Sequence, residues 1–164
     1  MNRRAFTLFE IVLVLLILGI AAMMVVPAVG NNIHSPRLKT AANLLASDIE
    51  FCQSECIGQP NAPRAVVFNT SANTYKLVVF SSSATIKHPG DGLDFLNDFA
   101  TGRTAQLSGV TIASALVGST ALPTLTFDSY GRPLITGDLV ITLSYSGQTM
   151  TVRVKNGTGD VTVQ

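Results

Sequence analysis

Side chains that could support catalysis or bind a metal are few in this sequence, and they form no known pattern. Cys52 and Cys56 lie four residues apart without the second half of a zinc site, and His34 and His88 are distant from them in sequence. The chain has neither a Gly-x-Ser-x-Gly nucleophile motif nor a Gly-x-x-x-x-Gly-Lys phosphate-binding motif. We therefore expect no catalytic residue, no metal and no cofactor.

An irregular stretch at residues 85–104 carries three aspartates, at Asp91, Asp94 and Asp98. Calcium is one interpretation, but their spacing does not match a known calcium loop. In the same stretch Leu93, Leu96 and Phe99 recur at three-residue steps, which favours a short helix with the aspartates facing solvent. We expect this helix to hold the loop against a β-sheet formed by the surrounding sequence.

Glu10 is the most unusual ionisable residue, because it borders an uncharged run at residues 11–30. At about 1.5 Å per helical residue, this run matches the roughly 30 Å hydrocarbon core of a bilayer. A carboxylate in such a segment costs up to about 2.5–3.5 kcal/mol, so its presence indicates a function and a partner. Arg3 and Arg4 precede the run and favour a cytoplasmic N-terminus, with the remaining chain outside the inner membrane.

The N-terminal segment from Arg3 to Val12, with the sequence RRAFTLFEIV, resembles the leader and start of type IV pilins and type II secretion pseudopilins. The resemblance implies that a prepilin peptidase cuts between Ala5 and Phe6 and methylates the new amine. It also implies that Glu10 pairs with another subunit. Residue 5 is Ala, where the family most often has Gly, and we expect slower cleavage. Because Glu10 lies one helical turn from Phe6, the amine of a neighbouring subunit could neutralise it.

Two features of the N-terminal segment leave alternatives open. Pro27 lies where the pilin family has a proline that kinks or loosens its helix, but it could equally end the membrane segment. Residues 28–30, Ala-Val-Gly, could serve as a conventional signal-peptide cleavage site. Against that interpretation are Glu10 and an apolar run longer than the usual signal-peptide core.

A second helix is predicted to start with Ser35 as N-cap and Pro36 as first helical residue, and to end at Gly58 and Pro60. Apolar residues recur on it at three- and four-residue steps and form one stripe, comprising Leu38, Ala41, Ala42, Leu45, Ile49, Cys52 and Cys56. Both cysteines are therefore interpreted as buried core residues, since their spacing suits an unstrained disulfide poorly. The charged residues are expected mostly on a solvated face, namely Lys39, Asp48, Glu50 and Glu55.

From residue 65 onward, β-branched and aromatic runs alternate with polar and glycine turns, which is typical of an antiparallel sheet. The predicted strands are 65–68, 75–80, 110–112, 125–127, 139–145, 150–154 and 161–163. Residues 69–73, 146–148 and 156–157 are predicted to link strands as hairpins. The helix stripe is expected to pack on one face of the sheet.

The body resembles the GspH/FimT-type minor pseudopilins, through the segment LASDIE at 45–50, the first hairpin at 65–80, the segment LTFDSYGRP at 125–133 and the closing segment at 152–161. The implied fold class is α+β, the pilin fold. We expect a leader at 1–5, a membrane and filament-core helix at 6–30, an amphipathic helix at 31–58 and a β-rich periplasmic body at 59–164. The last two would form one domain.

The function implied by this resemblance is that of a minor pseudopilin, a non-enzymatic subunit of a type II secretion pseudopilus. Its partners would be other pilins or pseudopilins, the prepilin peptidase and the inner-membrane assembly platform. The alternatives are a type IV pilus minor pilin, including a DNA-uptake type, and a signal-peptide-bearing periplasmic domain unrelated to filaments. Nucleic acid is not favoured, since from Arg64 onward seven basic residues stand against six acidic ones, and in this part of the chain only Arg153 and Lys155 are close together.

Overall fold

The computed structural model describes the backbone of residues 8–30 and 34–164, and the side chains of residues 8–20 and 36–164. The chain divides into two compact units, one ending at His34 and the other beginning at Ser35. In the first unit, α1 spans Leu8–Gly30. Among the described residues, the structure contains no helix that is both long enough and apolar enough to cross a membrane.

Helix α2 spans His34–Gly58. Among the described residues that follow it, the only other helical segment is a short 3₁₀ helix. Helix α2 begins before the predicted position, so Ser35 is not its N-cap and Pro36 is not its first residue. Pro36 is tolerated because the N–H groups of a first helical turn have no partner within the helix. The predicted apolar stripe is confirmed, since all seven of its residues are at most 2% exposed.

The body contains two antiparallel sheets where the sequence predicted one. Strands β1 Arg64–Asn69, β2 Thr74–Val79, β3 Leu96–Asn97 and β6 Thr124–Thr126 form the first, in the order β3-β2-β1-β6. Strands β4 Thr111–Val117, β5 Thr120–Ala121, β7 Leu139–Tyr145, β8 Gln148–Val154 and β9 Val161–Val163 form the second, in the order β5-β4-β7-β8-β9. The α+β class is confirmed.

Asn73, in the turn between β1 and β2, joins the two sheets. Its side-chain Nδ2 donates to the Val110 carbonyl oxygen at 2.8 Å, and its Oδ1 accepts from the Ile112 N–H at 2.6 Å. The side-chain amide thus forms the same pair of hydrogen bonds with the start of β4 that the backbone of a neighbouring strand would form. Asn73 has φ of 56°, a conformation that Asn adopts more readily than most residues. The turn of one sheet is therefore fixed to the first strand of the other.

The predicted hairpins are confirmed. Strands β1 and β2 pair from Arg64↔Val79 to Asn69↔Thr74. Strands β7 and β8 join through Ser146 and Gly147, both at positive φ, as a two-residue hairpin turn requires. Strand β9 pairs with β8 after the turn that contains Gly157.

The helix predicted from Leu93, Leu96 and Phe99 is wrong. The segment instead forms β3, and residues alternate between buried and exposed along it: Phe95, Asn97 and Phe99 are buried, whereas Leu93 and Leu96 are exposed. This alternation is that of a β-strand, in which successive side chains point to opposite faces of the sheet. The three-residue spacing of Leu93, Leu96 and Phe99 therefore did not indicate a helix. A 3₁₀ helix follows at Gly102–Leu107.

Buried side chains from α2 and both sheets form a single hydrophobic core. Its largest fully buried members are Tyr75, Phe95, Phe99, Phe127, Leu38, Leu45, Ile49, Leu77, Leu125, Leu139, Ile141 and Leu143. Each buried leucine or phenylalanine contributes about 1.5–3 kcal/mol relative to an exposed one, before conformational entropy is subtracted.

Both cysteines are free and buried in this core, which confirms their interpretation as core residues. The Cys56 thiol also contacts the backbone of Arg64, where its sulfur accepts from the N–H at 3.1 Å and lies 3.3 Å from the carbonyl oxygen. The end of α2 is thereby joined to the first residue of β1.

Candidate functional site

Helix α1 carries the predicted assembly residues that the structure describes. Glu10 lies in its first turn, where the positive end of the helix dipole favours a carboxylate. Pro27 lies inside α1, which continues to Gly30, so it does not end the helix. Ala5 and Phe6 lie outside the described residues. Neither the cleavage of the chain nor the role of Glu10 is tested by this geometry, and both stay predictions.

The surface of α1 is apolar on every side over residues 8–20. Leucine, isoleucine, valine or phenylalanine occupies all of these positions except Glu10 and Gly19, and all are exposed, Leu8 at 85% and Phe9 at 75%. Exposed apolar surface of this extent marks a site of contact with other molecules. Because this surface surrounds the helix, covering it would take several helices or lipid, and Glu10 is the only ionisable residue over residues 8–20.

Asp48 on α2 forms a buried polar cluster that the sequence analysis missed. It was expected on the solvated face, but it is only 7% exposed. Its Oδ2 accepts from the Tyr75 hydroxyl at 2.7 Å and from Asn97 Nδ2 at 2.8 Å. The signal was present in the sequence, since Asp48 lies three residues after Leu45 and four before Cys52, within the apolar stripe.

Arg103 extends this cluster toward the surface. Its Nη2 donates to Asn97 Oδ1 at 3.2 Å, and its Nη1 lies 3.4 Å from an Asp91 carboxylate oxygen. Its guanidinium also lies over the Phe95 ring, 5.2 Å from the centroid. The network therefore connects a buried carboxylate on α2 with the loop around β3.

Burial raises the pKa of the Asp48 carboxyl from 3.8 to about 6, against the lowering effects of the Tyr75 hydrogen bond, the Arg103 charge and the Asn97 hydrogen bond. Burial, followed by the Asp48 charge, raises the pKa of Tyr75 well above 10, so its hydroxyl remains a donor. A cavity of about 150 Å³ adjoins the cluster and is lined by Thr40, Leu44, Asp48, Arg103 and neighbouring residues. Through Asn97 and Arg103, the hydrogen bonds of the cluster join the segment at residues 88–107 to α2.

The three loop aspartates each have partners within the protein. Asp91 lies near Arg103, and Asp94 accepts from Lys87 Nζ at 2.7 Å. Asp98 accepts from the backbone N–H groups of Ala100 and Thr101. Within the described part of the chain, no group of three His, Cys, Asp or Glu side chains could hold a metal ion.

Comparison with known proteins gives structural matches only. No family model matches the sequence, and no curated protein matches it. The type IV minor pilin FimU of Pseudomonas aeruginosa matches in two crystal forms. One has a TM-score of 0.55 at 17% identity, over 79% of this chain and 90% of FimU, and the other 0.52 at 19%, over 77% and 92%.

A second matching protein is the minor pseudopilin EpsH from the type II secretion system of Vibrio cholerae. It has a TM-score of 0.55 at 13% identity, over 78% of this chain and 96% of EpsH. At such low identity these matches establish the fold. The chain therefore has the pilin fold, with type IV minor pilins and minor pseudopilins as its structural neighbours.

Proposed function

We propose that this protein is a minor pseudopilin, a structural subunit of a type II secretion pseudopilus. The observation that carries the proposal is the combination of a pilin-fold body with α1, a helix apolar on every side over residues 8–20 except at Glu10 and Gly19. A helix of this kind suits a filament core, where each subunit's helix is surrounded by those of others.

Before assembly, α1 would hold the precursor in the inner membrane as a single-pass anchor. The support comes from the sequence, in which residues 11–30 are uncharged and Arg3 and Arg4 precede them. The N-terminus would then be cytoplasmic and the body periplasmic. Prepilin peptidase would cut between Ala5 and Phe6 and methylate the Phe6 amine, and the inner-membrane assembly platform would add the subunit to the filament.

Glu10 would select the position of the subunit in the filament. An unpaired carboxylate among apolar helices is costly, whereas one paired with the Phe6 ammonium of a neighbouring subunit is neutralised where the dielectric constant is low. Cleavage would thus create the ammonium group with which Glu10 pairs in the filament. Pro27, inside α1, would loosen the helix there by removing one backbone hydrogen bond.

The structural neighbours include a minor pilin of a type IV pilus and a minor pseudopilin of a secretion system, each with a TM-score of 0.55. The type IV pilus is therefore the second candidate for the filament. A role in DNA uptake has less support, because Arg153, one of the two basic residues that lie close together near the C-terminus, is 3.5 Å from the Asp138 carboxylate.

The mature N-terminus tests this proposal. Mass spectrometry of the chain purified from membranes of cells that contain prepilin peptidase should show N-methylated Phe6 as the first residue. The same chain from cells without the peptidase should retain Met1 or Asn2. A mature chain that begins at Asn31 would identify a conventional signal peptide and refute the proposal.

A further inference from the structure

The turn at residues 128–133 lies directly on the C-terminal end of α2. Gln53 Nε2 donates to the Gly131 carbonyl oxygen at 2.7 Å. A Cβ atom on Gly131 would lie 2.8 Å from Ile57 Cδ1, so the turn and the helix touch. We call the surface formed by Ile57, Tyr130 and Arg132 the distal platform.

The conformation of this turn is fixed by several hydrogen bonds. Asp128 Oδ1 accepts from the N–H groups of Tyr130 at 2.9 Å and Arg132 at 2.8 Å. The Asp128 carbonyl oxygen accepts from the Gly131 N–H, and the Asp128 N–H donates to the Arg132 carbonyl oxygen. Gly159 supports the turn from a second loop, since a Cβ atom there would lie 2.7 Å from the Gly131 oxygen. Because these bonds already fix its backbone, the turn would lose little backbone entropy on binding.

The platform exposes side chains that are common at the centres of protein interfaces. Tyr130 is 81% exposed and Ile57 is 52% exposed, although the backbone beside them is buried at Gly131. Arg132 is also exposed, and no ion pair joins its side chain to another described residue. Tyrosine and arginine are enriched among residues that dominate binding energy, and an unpaired arginine complements a carboxylate.

We propose that the distal platform binds a neighbouring pilin-fold subunit, with Tyr130 and Ile57 against an apolar surface and Arg132 against a carboxylate of that subunit. The inference rests on the proposed function, which supplies neighbouring subunits. Ile57 lies 23 residues after His34, so the platform is about 34 Å along α2 from the end that continues toward α1. The proposed contact belongs to the body and uses residues other than those of α1.

Nucleic acid suits the platform less well than protein. A phosphate backbone is bound by several cations together, whereas Arg132 is the one cation of this surface and Ile57 is aliphatic. The formal net charge of the chain is also only +1. These features favour an apolar protein surface with an acidic residue.

Photocrosslinking in assembled filaments tests the proposal. The full-length chain would carry p-benzoylphenylalanine in place of Tyr130, and a control would carry it at Ser71, an exposed residue in the β1–β2 turn. That turn is at the opposite end of β1 from the Ala65↔Thr126 pair that precedes the platform. Irradiation should link residue 130 to another pilin-fold subunit, identified by peptide mass spectrometry, at least tenfold more often than residue 71.

Charge reversal provides the second arm. Arg132→Glu in the Tyr130 crosslinking variant should reduce the linked fraction at least tenfold, whereas Arg132→Lys should retain most of it. Equal linkage from both positions, linkage to nucleic acid, or no effect of Arg132→Glu would overturn the proposal. If the chain is present in filaments and residue 130 gives no crosslink, only the platform proposal fails; absence of the unmodified chain from filaments contradicts the proposed function itself.

Discussion

The Asp48 carboxyl group lies beneath Tyr75 and Asn97, where burial raises its pKa from 3.8 to about 6. The folded protein therefore holds this proton more tightly than the unfolded chain does. The contribution of protonated Asp48 to stability is fully present below the unfolded pKa and is lost as the pH rises through the folded pKa. A shift of this size corresponds to about 3 kcal/mol.

Substitution Asp48→Asn should remove this pH dependence, because an amide oxygen can accept the same two hydrogen bonds without a charge. Relative to the wild type, the variant should gain stability between pH 4 and pH 7, by up to about 3 kcal/mol. Chemical denaturation of the full chain in detergent micelles at pH 4, 5, 6 and 7 measures the difference. The exposed control Asp160→Asn should keep the wild-type slope, and an unchanged slope in Asp48→Asn would show that Asp48 is not the titrating group.

Gly157 and Gly159 lie close together in the loop between β8 and β9. Alanine substitutions at these two positions can distinguish the cost of backbone strain from the cost of steric crowding. Both have positive φ, at 82° and 75°, but a Cβ atom at residue 159 would meet Gln53 Nε2 at 2.5 Å and the Gly131 oxygen at 2.7 Å. At residue 157 it would meet nothing within 4 Å. Gly157→Ala should cost about 1–2 kcal/mol from strain alone, and Gly159→Ala about 1–3 kcal/mol more because backbone must move.

Thermal or chemical unfolding of the two alanine variants beside the wild type provides the measurement. Equal losses of stability in both variants would mean that Gln53 and the 128–133 turn are not packed against Gly159 as described.

At the level of elements, α2 and most strands could be predicted because their signals are local. The stripe from Leu38 to Cys56 has helical spacing, and strands such as β7 and β8 have alternating or β-branched residues. Strand β4 extends to Val117, beyond the predicted Ile112, because alanine and serine in TIASALV give a weak strand signal. Strand β5 has only two residues and exists through its pairing with β4.

The buried polar cluster around Asp48 could not be predicted from the sequence, because its residues are far apart along the chain. Asp48, Tyr75, Asn97 and Arg103 come from four separate segments, and only tertiary packing brings them together. The loop containing β3 shows the same limitation. Leu93, Leu96 and Phe99 satisfy a helical spacing, but pairing with β2 at Tyr75↔Asn97 selects the extended conformation. A non-local partner thus determines both the strand and the site.

For the whole molecule, the body and α1 have different physical requirements. The body buries one continuous core beneath two sheets and α2. Helix α1 presents apolar side chains on every side over residues 8–20, so under the proposed function it satisfies them in lipid before assembly and among other helices afterwards. Under the proposed function, Glu10 would respond differently to these two environments, because the filament would bring it beside the Phe6 ammonium group of a neighbouring subunit.

The most direct test of this account is the amount of Glu10→Ala protein in purified filaments, relative to the amount in membranes. If Glu10 acts as proposed, Glu10→Ala is still cut before Phe6 and remains in the membrane, yet its incorporation falls at least tenfold. Leu13→Ile, which changes an exposed apolar residue of α1 while keeping its volume and the charge of the helix, serves as the control and should assemble nearly normally. Wild-type incorporation of a correctly processed Glu10→Ala chain would contradict the central role of this carboxylate.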